Sequence, residues 1–291
     1  MPHETGVPFS HLFGYDKGKK KGEKSVILTI NATNTHMNIG LFQSGELLQH
    51  WRLTSEERRT EDEYGLQILQ LFHHANYNIS EVEGVIISSV VPPLTDTLIL
   101  MCEHYLHQHP IIVGPGVKTG LNIRYDNPRE VGTDRIVNAV AAMQQYPAPV
   151  IIVALGETAT TFCYVDEKKQ YLGGAISPGI GVSVDALFHE ASKLPKIEIK
   201  KPARIIGTNT IHALQSGIYY GCASQVDGIV RYMIKETNSN PSVIATGRMA
   251  HLVSQVSETI QKVDPYLTLK GLYYIYTKNN NEKRKEGNKR K

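Results

Sequence analysis

The sequence predicts an α/β fold made of two similar halves with a cleft between them. The chain has 291 residues, which is more than one hydrophobic core usually organises. An order of strand, polar turn, strand, hairpin and strand begins at Ser25 and recurs from Pro149. Helical periodicity follows these strands in both halves. Such a repeat indicates that each half builds a sheet of its own.

The first half contains apolar runs typical of strands and apolar residues spaced to form one face of a helix. Its strands are expected at 25–31, 37–43, 46–53, 84–92 and 110–114. Its helices are expected at 62–75, 94–106 and 129–146. The stretch 115–128 is rich in glycine, asparagine and proline, so we predict a loop there.

The second half repeats this plan. Three strands are expected within 149–177, and a further strand is expected over 242–247. Helices are expected over 207–237 and from Met249, and the segment 267–279 closes the fold.

The predicted domains cover 25–147 and 148–280. A lysine-containing extension, 1–24, precedes them and a basic tail, 281–291, follows them. Neither stretch shows apolar periodicity, and short charge runs of this kind are usually solvated, so we expect both to be disordered.

The composition argues against several classes of protein. No apolar run approaches the ~20 residues of a membrane helix, and the N-terminus lacks the apolar segment of a secretory signal. The net charge of +3 comes from the lysine-rich ends, so neither a membrane nor a nucleic acid is an expected partner. The cysteines have no C-x-x-C pairing, which indicates a reduced, cytoplasmic protein.

Three polar segments stand at strand ends. The first turn, Asn31 to Thr35, contains hydroxyl and amide side chains but no glycine, lysine or acid. Taken alone, it is a phosphate site, an altered phosphate site or an ordinary hairpin. A Gly/Thr turn at 154–161 matches it in the second half, and a strand end at 245–249 leads into a helix. Hydroxyls and backbone amides in such turns hold phosphate oxygens, so the three together favour a nucleoside triphosphate in the cleft.

Two stretches are especially specific, ISSVVPPLT at 87–95 and VGPGVKTGLNIRYDNPREVGTDRIVNAVAA at 113–142. In these stretches, and more broadly from about 25 to 280, the chain resembles the type III pantothenate kinase family. The resemblance implies a duplicated actin-like (ribonuclease H-like) fold and a homodimer. It implies transfer of the γ-phosphoryl group of ATP to the hydroxyl of pantothenate, the first step of coenzyme A biosynthesis. It also implies Mg²⁺ and a monovalent cation, K⁺ or NH₄⁺.

The resemblance assigns roles to individual positions. Asp134 corresponds to the proton acceptor, because phosphoryl transfer to an alcohol needs a carboxylate beside the hydroxyl. On residue type alone, the favoured interpretation of Asp134 is an acid that stabilises a helix N-terminus. The implied substrate-binding residues are Tyr125, Gly132, Thr133, Asp134, Arg135 and Thr210. The implied ATP-binding residues are Asn31, Ala32, Thr33, Asn34, Thr35, His36, Met37, Asn38 and Thr158.

Two of the implied substrate-binding residues, Arg135 and Thr210, have alternative interpretations. Arg135 suits the carboxylate of pantothenate, because a guanidinium binds carboxylates through two parallel hydrogen bonds; a surface helix arginine is the alternative. The resemblance places Thr210 in the pocket of the partner subunit, whereas its residue type alone suggests a helix N-cap.

The nucleotide and cation positions depart from the family's motifs. Asn31 stands where the family has an aspartate, and Thr33 where it has a glycine. Ala154 replaces a second aspartate, Glu157 is an additional acid, and Arg248 replaces a glycine. Hard cations prefer carboxylate oxygens, so no metal ligand is assigned, and Glu157 is a weak substitute for the missing aspartate.

These departures support a second hypothesis beside the kinase. It is a pseudoenzyme that keeps the fold and the pantothenate pocket, and acts by binding pantothenate or a protein partner. A third hypothesis, a nucleic-acid-associated regulator that uses the basic ends, requires DNA binding with a steep salt dependence.

Two further features are interpreted without a functional role. The histidine-rich run from Cys102 to His109 has metal-ligand residue types but no distant partner motif. We interpret it as a helix end whose histidines face solvent. Asp185 is interpreted as an exposed helical acid.

Overall fold

Two mixed β-sheets and the helices packed on them make up the fold. The computed structural model describes residues 25–289, with side chains as far as residue 281. The predicted extension 1–24 and the last two positions of the predicted tail lie outside the described residues.

The strands and helices follow the predicted order along the chain. The first half contains β1 (Val26–Ala32), β2 (His36–Gln43), β3 (Glu46–Thr54), α1 (Glu61–His74), β4 (Val82–Ser89), α2 (Pro92–Leu106), β5 (Ile111–Ile112), β6 (Asn122–Ile123) and α3 (Thr133–Gln145). The second half contains β7 (Val150–Leu155), β8 (Ala159–Val165), β9 (Gln170–Pro178), α4 (Ile180–Glu190), α5 (Thr210–Thr237), β10 (Ser242–Thr246), α6 (Ala250–Ser254), β11 (Lys262–Val263) and α7 (Leu267–Lys289).

The two sheets share one topology. The first has the strand order β3-β2-β1-β4-β5, and the second contains the same order as β9-β8-β7-β10-β11, with β6 added beside β9. In both sheets the first three strands of the half pair antiparallel, and the next two pair parallel. The predicted duplicated α/β fold is therefore confirmed.

Helices α3 and α7 join the two halves. On one side, Ala139 and Met143 of α3 pack with strands of the second sheet. On the other side, Val137 of α3 and Leu272 of α7 pack with Ile86 of the first sheet. The helices approach closely because residue 271 is glycine; a Cβ there would lie 2.2 Å from the carbonyl oxygen of Val137. The sequence assigns α7 to the second half, but its apolar face covers the first sheet.

The ends of two helices differ from prediction. Helix α3 begins at Thr133 rather than near 129, because Pro128–Glu130 forms a separate 3-10 turn and Gly132 has the extended backbone of an N-cap. Helix α7 continues to Lys289, so the backbone of 281–289 is helical where the sequence predicts a disordered tail. Lysine, glutamate and arginine are all good helix formers, which lets a polar run extend a helix. The predicted domain limits themselves stay a prediction.

In the described part of the chain, none of the helices combines the length and the apolar character needed to cross a bilayer.

Asp227 of α5 holds the segment that follows α6. Asp227 is 6% exposed. Its carboxylate accepts four hydrogen bonds at 2.5–3.1 Å. The donors are the Ser257 hydroxyl, the Glu258 backbone amide, and the amide and hydroxyl of Thr259. Burial alone would raise the pKa of this carboxyl, but the hydrogen bonds outweigh burial and lower the pKa below its ordinary value.

Replacing Asp227 with asparagine is expected to lower the free energy of unfolding at pH 7 by about 1.5–3 kcal/mol, the value of hydrogen bonds to a charged group. Because the folded-state pKa is lowered, the carboxylate stabilises fully above the unfolded-state pKa of about 3.9. This stabilisation is lost as the pH falls through the folded-state pKa. Urea unfolding should be measured at pH 7 and at about pH 3. The difference in free energy of unfolding between the parent and Asp227→Asn should be smaller at the lower pH.

The matched control is Asp185→Asn. Asp185 is exposed and lies 3.5 Å from Lys196, so its loss should change stability by less than about 0.5 kcal/mol. A gap for Asp227→Asn that is equally large at both pH values would contradict the role of the Asp227 charge.

Candidate active site

A cleft of about 660 Å³ lies between the two sheets. Its wall includes the β1–β2 turn, the β7–β8 turn, the loop after β10, the start of α3, and residues of β3 and α7. The predicted residues that line it are Asn31, Thr33, Asn34, Thr35, His36, Asn38, Asp134, Ala154, Glu157, Thr158 and Arg248. The cleft thus brings together the three polar segments and Asp134, as the sequence suggests.

The two hairpin turns are structurally equivalent. Asn31 pairs with Asn38 on β2 and with Ser88 on β4. Ala154 has the matching partners, Thr161 on β8 and Thr246 on β10. The same backbone hydrogen bond closes each turn, from Thr33 to His36 at 2.9 Å and from Gly156 to Ala159 at 3.1 Å. Positions 31 and 154 are therefore counterparts, and Glu157 is the counterpart of Asn34.

The loop after β10 crosses the end of β7. Gly247 has a φ of +93°, and a Cβ at this position would lie 2.6 Å from the carbonyl oxygen of Leu155. Only glycine combines this backbone conformation with so close an approach. The loop therefore lies directly over the second turn and places Arg248 beside it.

A row of charged and polar side chains connects the three segments. Arg52 Nη2 lies 3.1 Å from His36 Nε2, and because a guanidinium only donates, this nitrogen must accept. His36 Nδ1 lies 3.0 Å from Thr35 Oγ1 and 3.7 Å from Glu157 Oε2. Glu157 also accepts a hydrogen bond from Arg248 Nη1. The row thus runs from β3 to the loop after β10.

The row sets the protonation state of His36. Burial lowers the pKa of His36 most, Arg52 and Arg248 lower it further, and Glu157 partly opposes them. A histidine with a lowered pKa is neutral at pH 7. This agrees with the hydrogen bond in which His36 Nε2 accepts from Arg52.

The start of α3 presents Asp134 to the cleft. Its Oδ1 lies over Gly132, since a Cβ at position 132 would be 2.7 Å from it. The neighbouring Thr133 Oγ1 accepts a hydrogen bond from Ser88 Oγ at 3.0 Å, which ties the helix start to the end of β4. Among the described residues none donates a hydrogen bond to the Asp134 carboxylate, so it is available to a substrate hydroxyl.

Arg135 and Tyr125 lie beside this helix start but outside the cleft wall. Arg135 is 8% exposed; its Nη2 donates to the Glu130 carbonyl oxygen at 3.3 Å, and its side chain lies near Tyr125. The Tyr125 ring packs against Tyr171, with ring centres 6.4 Å apart. Among the described residues no carboxylate lies within salt-bridge distance of Arg135, although the neighbouring Asp134 interacts with it electrostatically.

Two predicted ATP-binding residues have side chains elsewhere. Ala32 and Met37 face each other across β1 and β2, and both are buried in the core of the first half. Alternate residues of a strand face opposite sides of the sheet, so their polar neighbours line the cleft and they do not. Only the backbone of Ala32 and Met37 is placed near the turn.

Several cleft residues were missed by the sequence analysis, among them Asn138 and Arg52. Asn138 follows Asp134 by one helical turn on the same face, which is a spacing that sequence alone can reveal; it lines the cleft and accepts from Thr268 Oγ1 at 2.7 Å. Arg52 is the β3 neighbour of Asn38. This pairing places Arg52 in the cleft wall. The position of Arg52 can be identified only once the register of β2 and β3 is known.

Thr210 lies apart from the cleft of its own chain. It is the first residue of α5, and it borders a second cavity of about 670 Å³ between α4 and α5. Several large apolar side chains near this cavity are exposed by 40% or more: Leu187, Phe188, Ile205, Ile206 and Ile211. Within one chain, the structure does not bring Thr210 together with Asp134.

Comparison with known proteins identifies the family. A family model for type III pantothenate kinases matches residues 27–232. A type III pantothenate kinase from Halalkalibacterium halodurans is 54% identical over 254 residues, which cover 87% of this chain and 100% of the relative. This chain belongs to the type III pantothenate kinase family. The family resemblance read from the motifs is thereby confirmed, and membership makes the chain a phosphotransferase that uses ATP.

Solved structures show the same fold. The activator of 2-hydroxyisocaproyl-CoA dehydratase from Clostridium difficile, with bound ADPNP, has a TM-score of 0.53 and 11% identity, over 89% of this chain and 97% of that one. Component A of (R)-2-hydroxyglutaryl-CoA dehydratase from Acidaminococcus fermentans has a TM-score of 0.51 and 12% identity, over 85% and 95%. At these identities the likeness shows the fold alone.

The donor groups of the cleft indicate which cations it can hold. Its carboxylates are Asp134 and Glu157, and Glu157 is already paired with Arg248. Opposite Ala154, the Thr161 hydroxyl is buried without a nitrogen or oxygen partner. Mg²⁺ commonly keeps several waters and binds through substrate phosphates and one or two carboxylates, so this donor set fits Mg²⁺ that enters with ATP. It does not fit a cation held by a carboxylate at position 154.

One other cluster has metal-ligand residue types. Within the described residues, Glu61, Asp62 and His104 place ligand atoms within 4.8 Å of one another. The cluster lies at the solvent-facing junction of α1 and α2, and Tyr105 donates to Asp62 at 2.7 Å. The histidines of the 102–109 run are exposed at the end of α2, which agrees with the interpretation as a helix end.

Proposed function

We propose that this chain transfers the γ-phosphoryl group of ATP to the hydroxyl of pantothenate, giving 4′-phosphopantothenate in the first step of coenzyme A biosynthesis. One observation carries the proposal: the Asp134 carboxylate opens into the same cleft as two equivalent polar turns. The turns suit a triphosphate, and the carboxylate suits the hydroxyl that attacks it. Family membership supplies the identity of the alcohol.

In the proposed mechanism, the turns at 31–38 and 156–161 hold the triphosphate from opposite sides. Their backbone amides and the hydroxyls of Thr33, Thr35 and Thr158 donate to phosphate oxygens. Asp134 accepts the proton of the pantothenate hydroxyl as the oxygen attacks the γ-phosphorus. Its carboxylate is suited to this role because it has no competing hydrogen-bond donor in the described structure.

Arg135 and Tyr125 are proposed to bind the carboxylate end of pantothenate. A buried guanidinium that forms no salt bridge is costly, and a substrate carboxylate would supply a direct partner with charge-assisted hydrogen bonds. Gly132 and Thr133 are proposed to contact the substrate through the backbone at the start of α3.

Mg²⁺, when bound with ATP, would neutralise charge on the β- and γ-phosphoryl oxygens. The Asn31 side-chain oxygen is the cleft donor proposed to hold it or one of its waters, while Asp134 stays available as the proton acceptor. The monovalent cation implied by the family has no carboxylate at position 154, and no step is assigned to it.

The active form is proposed to be a homodimer. The exposed apolar side chains around the α4–α5 cavity support this proposal, because contiguous apolar surface is usually covered by a partner. Thr210 borders that cavity and is distant from its own cleft, so a second copy of the chain is proposed to bring it to the pantothenate site.

Three free cysteines among the described residues support a reducing, cytoplasmic compartment.

Replacing Asp134 with asparagine should lower kcat by about a hundredfold to ten-thousandfold, the usual contribution of a positioned general base. The amide keeps the shape of the side chain but cannot accept the proton, so binding of ATP and pantothenate should be retained. A coupled ADP-release assay measures kcat, and calorimetry measures binding.

Asp96→Asn is the matched control for this experiment. Asp96 is an exposed acid of α2, so its variant should keep the parental kcat. Parental turnover by Asp134→Asn would overturn its assignment as proton acceptor.

Mixed dimers should test the position of Thr210. If Thr210 serves the partner's site, a dimer of one Asp134→Asn subunit and one Thr210→Val subunit contains one fully intact site. Such dimers, purified with two different affinity tags, should recover about half of the parental activity, because one of two sites is complete. Activity no greater than that of the two separate variants would contradict a shared site.

A further inference from the structure

Arg248 is a positively charged residue of the cleft wall, in the loop after β10. It follows Gly247, and the backbone of this pair is fixed over the second turn by the contact with Leu155. Its side chain is 57% exposed, yet it points along the cleft wall to Glu157. The reaction proposed above assigns no role to it.

The partner of Arg248 is held firmly in place. The Glu157 carbonyl oxygen accepts from the Val182 amide at 3.1 Å, and the neighbouring Thr158 carbonyl accepts from Gly179 at 2.9 Å. The second turn is thereby fastened to the start of α4. The Glu157 carboxylate is 24% exposed and lies between Arg248 and His36, so it holds the guanidinium directly above the turn.

The charged groups of the cleft wall include two guanidinium groups that suit an anion. The lining guanidinium groups are Arg52 and Arg248, and the lining carboxylates are Asp134 and Glu157. His36 is kept neutral by its lowered pKa. A triphosphate entering between the turns carries several negative charges, and guanidinium groups are the side chains best suited to bind phosphate oxygens in pairs.

We propose that Arg248 binds the triphosphate of the nucleotide directly, and that Glu157 is a positioning residue that holds Arg248 over the second turn. On binding, a phosphate oxygen takes the place of the Glu157 carboxylate on the guanidinium. The Glu157 carboxylate stays beside His36. This proposal depends on the function proposed above, and it adds a phosphate-binding residue from the loop after β10.

The test compares nucleotide binding by the full-length parent, Arg248→Gln and Arg248→Lys, measured by calorimetry with the non-hydrolysable analogue β,γ-methylene-ATP and with AMP. Arg248→Gln should raise the Kd of the triphosphate about tenfold to a hundredfold, the range expected for hydrogen bonds to a charged group. The Kd of AMP should change much less. Arg248→Lys keeps the charge but loses the paired donors, so its Kd should be intermediate.

Arg231→Gln is the matched control. Arg231 is also 57% exposed and also pairs with a glutamate, Glu258, but it does not line the cleft. It should leave the Kd of the triphosphate unchanged, and pantothenate binding by all variants should confirm that they are folded.

Two outcomes separate this proposal from the kinase function. If the parent binds the triphosphate and Arg248→Gln binds it equally well, the role of Arg248 is overturned and the kinase function stands. If the parent binds no triphosphate, both are overturned. An equal loss of AMP and triphosphate binding in Arg248→Gln would show a general disturbance of the site and would also overturn a direct phosphate contact.

Discussion

The active cleft depends on one constraint, the matching register of the hairpins β1–β2 and β7–β8. Each hairpin ends in a turn closed by the same backbone hydrogen bond, and each turn stands at the edge of a sheet with the same strand order. Helices α3 and α7 pack between the halves and set the distance across the cleft. A shift of one residue in either hairpin would turn its polar side chains into the core, and the cleft would lose one of its walls.

The same register relates two of the positions at which the chain departs from the family's motifs. Positions 31 and 154 occupy equivalent places at the ends of β1 and β7, and neither carries a carboxylate. The cleft therefore has no carboxylate at the end of either strand. Its remaining acid near the turns, Glu157, is neutralised by Arg248. Two guanidinium groups, those of Arg52 and Arg248, also line the cleft.

Local patterns predicted most of the fold, because strand alternation, turn residues and helical spacing are properties of neighbouring residues. They also predicted that the polar turns share a cleft, and the family resemblance added Asp134 to it. The packing of α7 on the first sheet could not be predicted, because it depends on contacts such as that between Gly271 and Val137, far apart in sequence. The ion pair of Glu157 with Arg248 was missed for the same reason, and the sequence analysis treated the two residues as separate departures.

The central claim is that the cleft moves a phosphoryl group from ATP to pantothenate. Phosphorus NMR of the full-length protein with ATP, Mg²⁺ and pantothenate tests it most directly, because each phosphate has its own resonance. We predict a new phosphomonoester resonance that grows at the same rate as the γ-phosphate resonance of ATP declines. Unchanged ATP in the presence of bound pantothenate, or loss of the γ-phosphate to inorganic phosphate alone, would contradict the account.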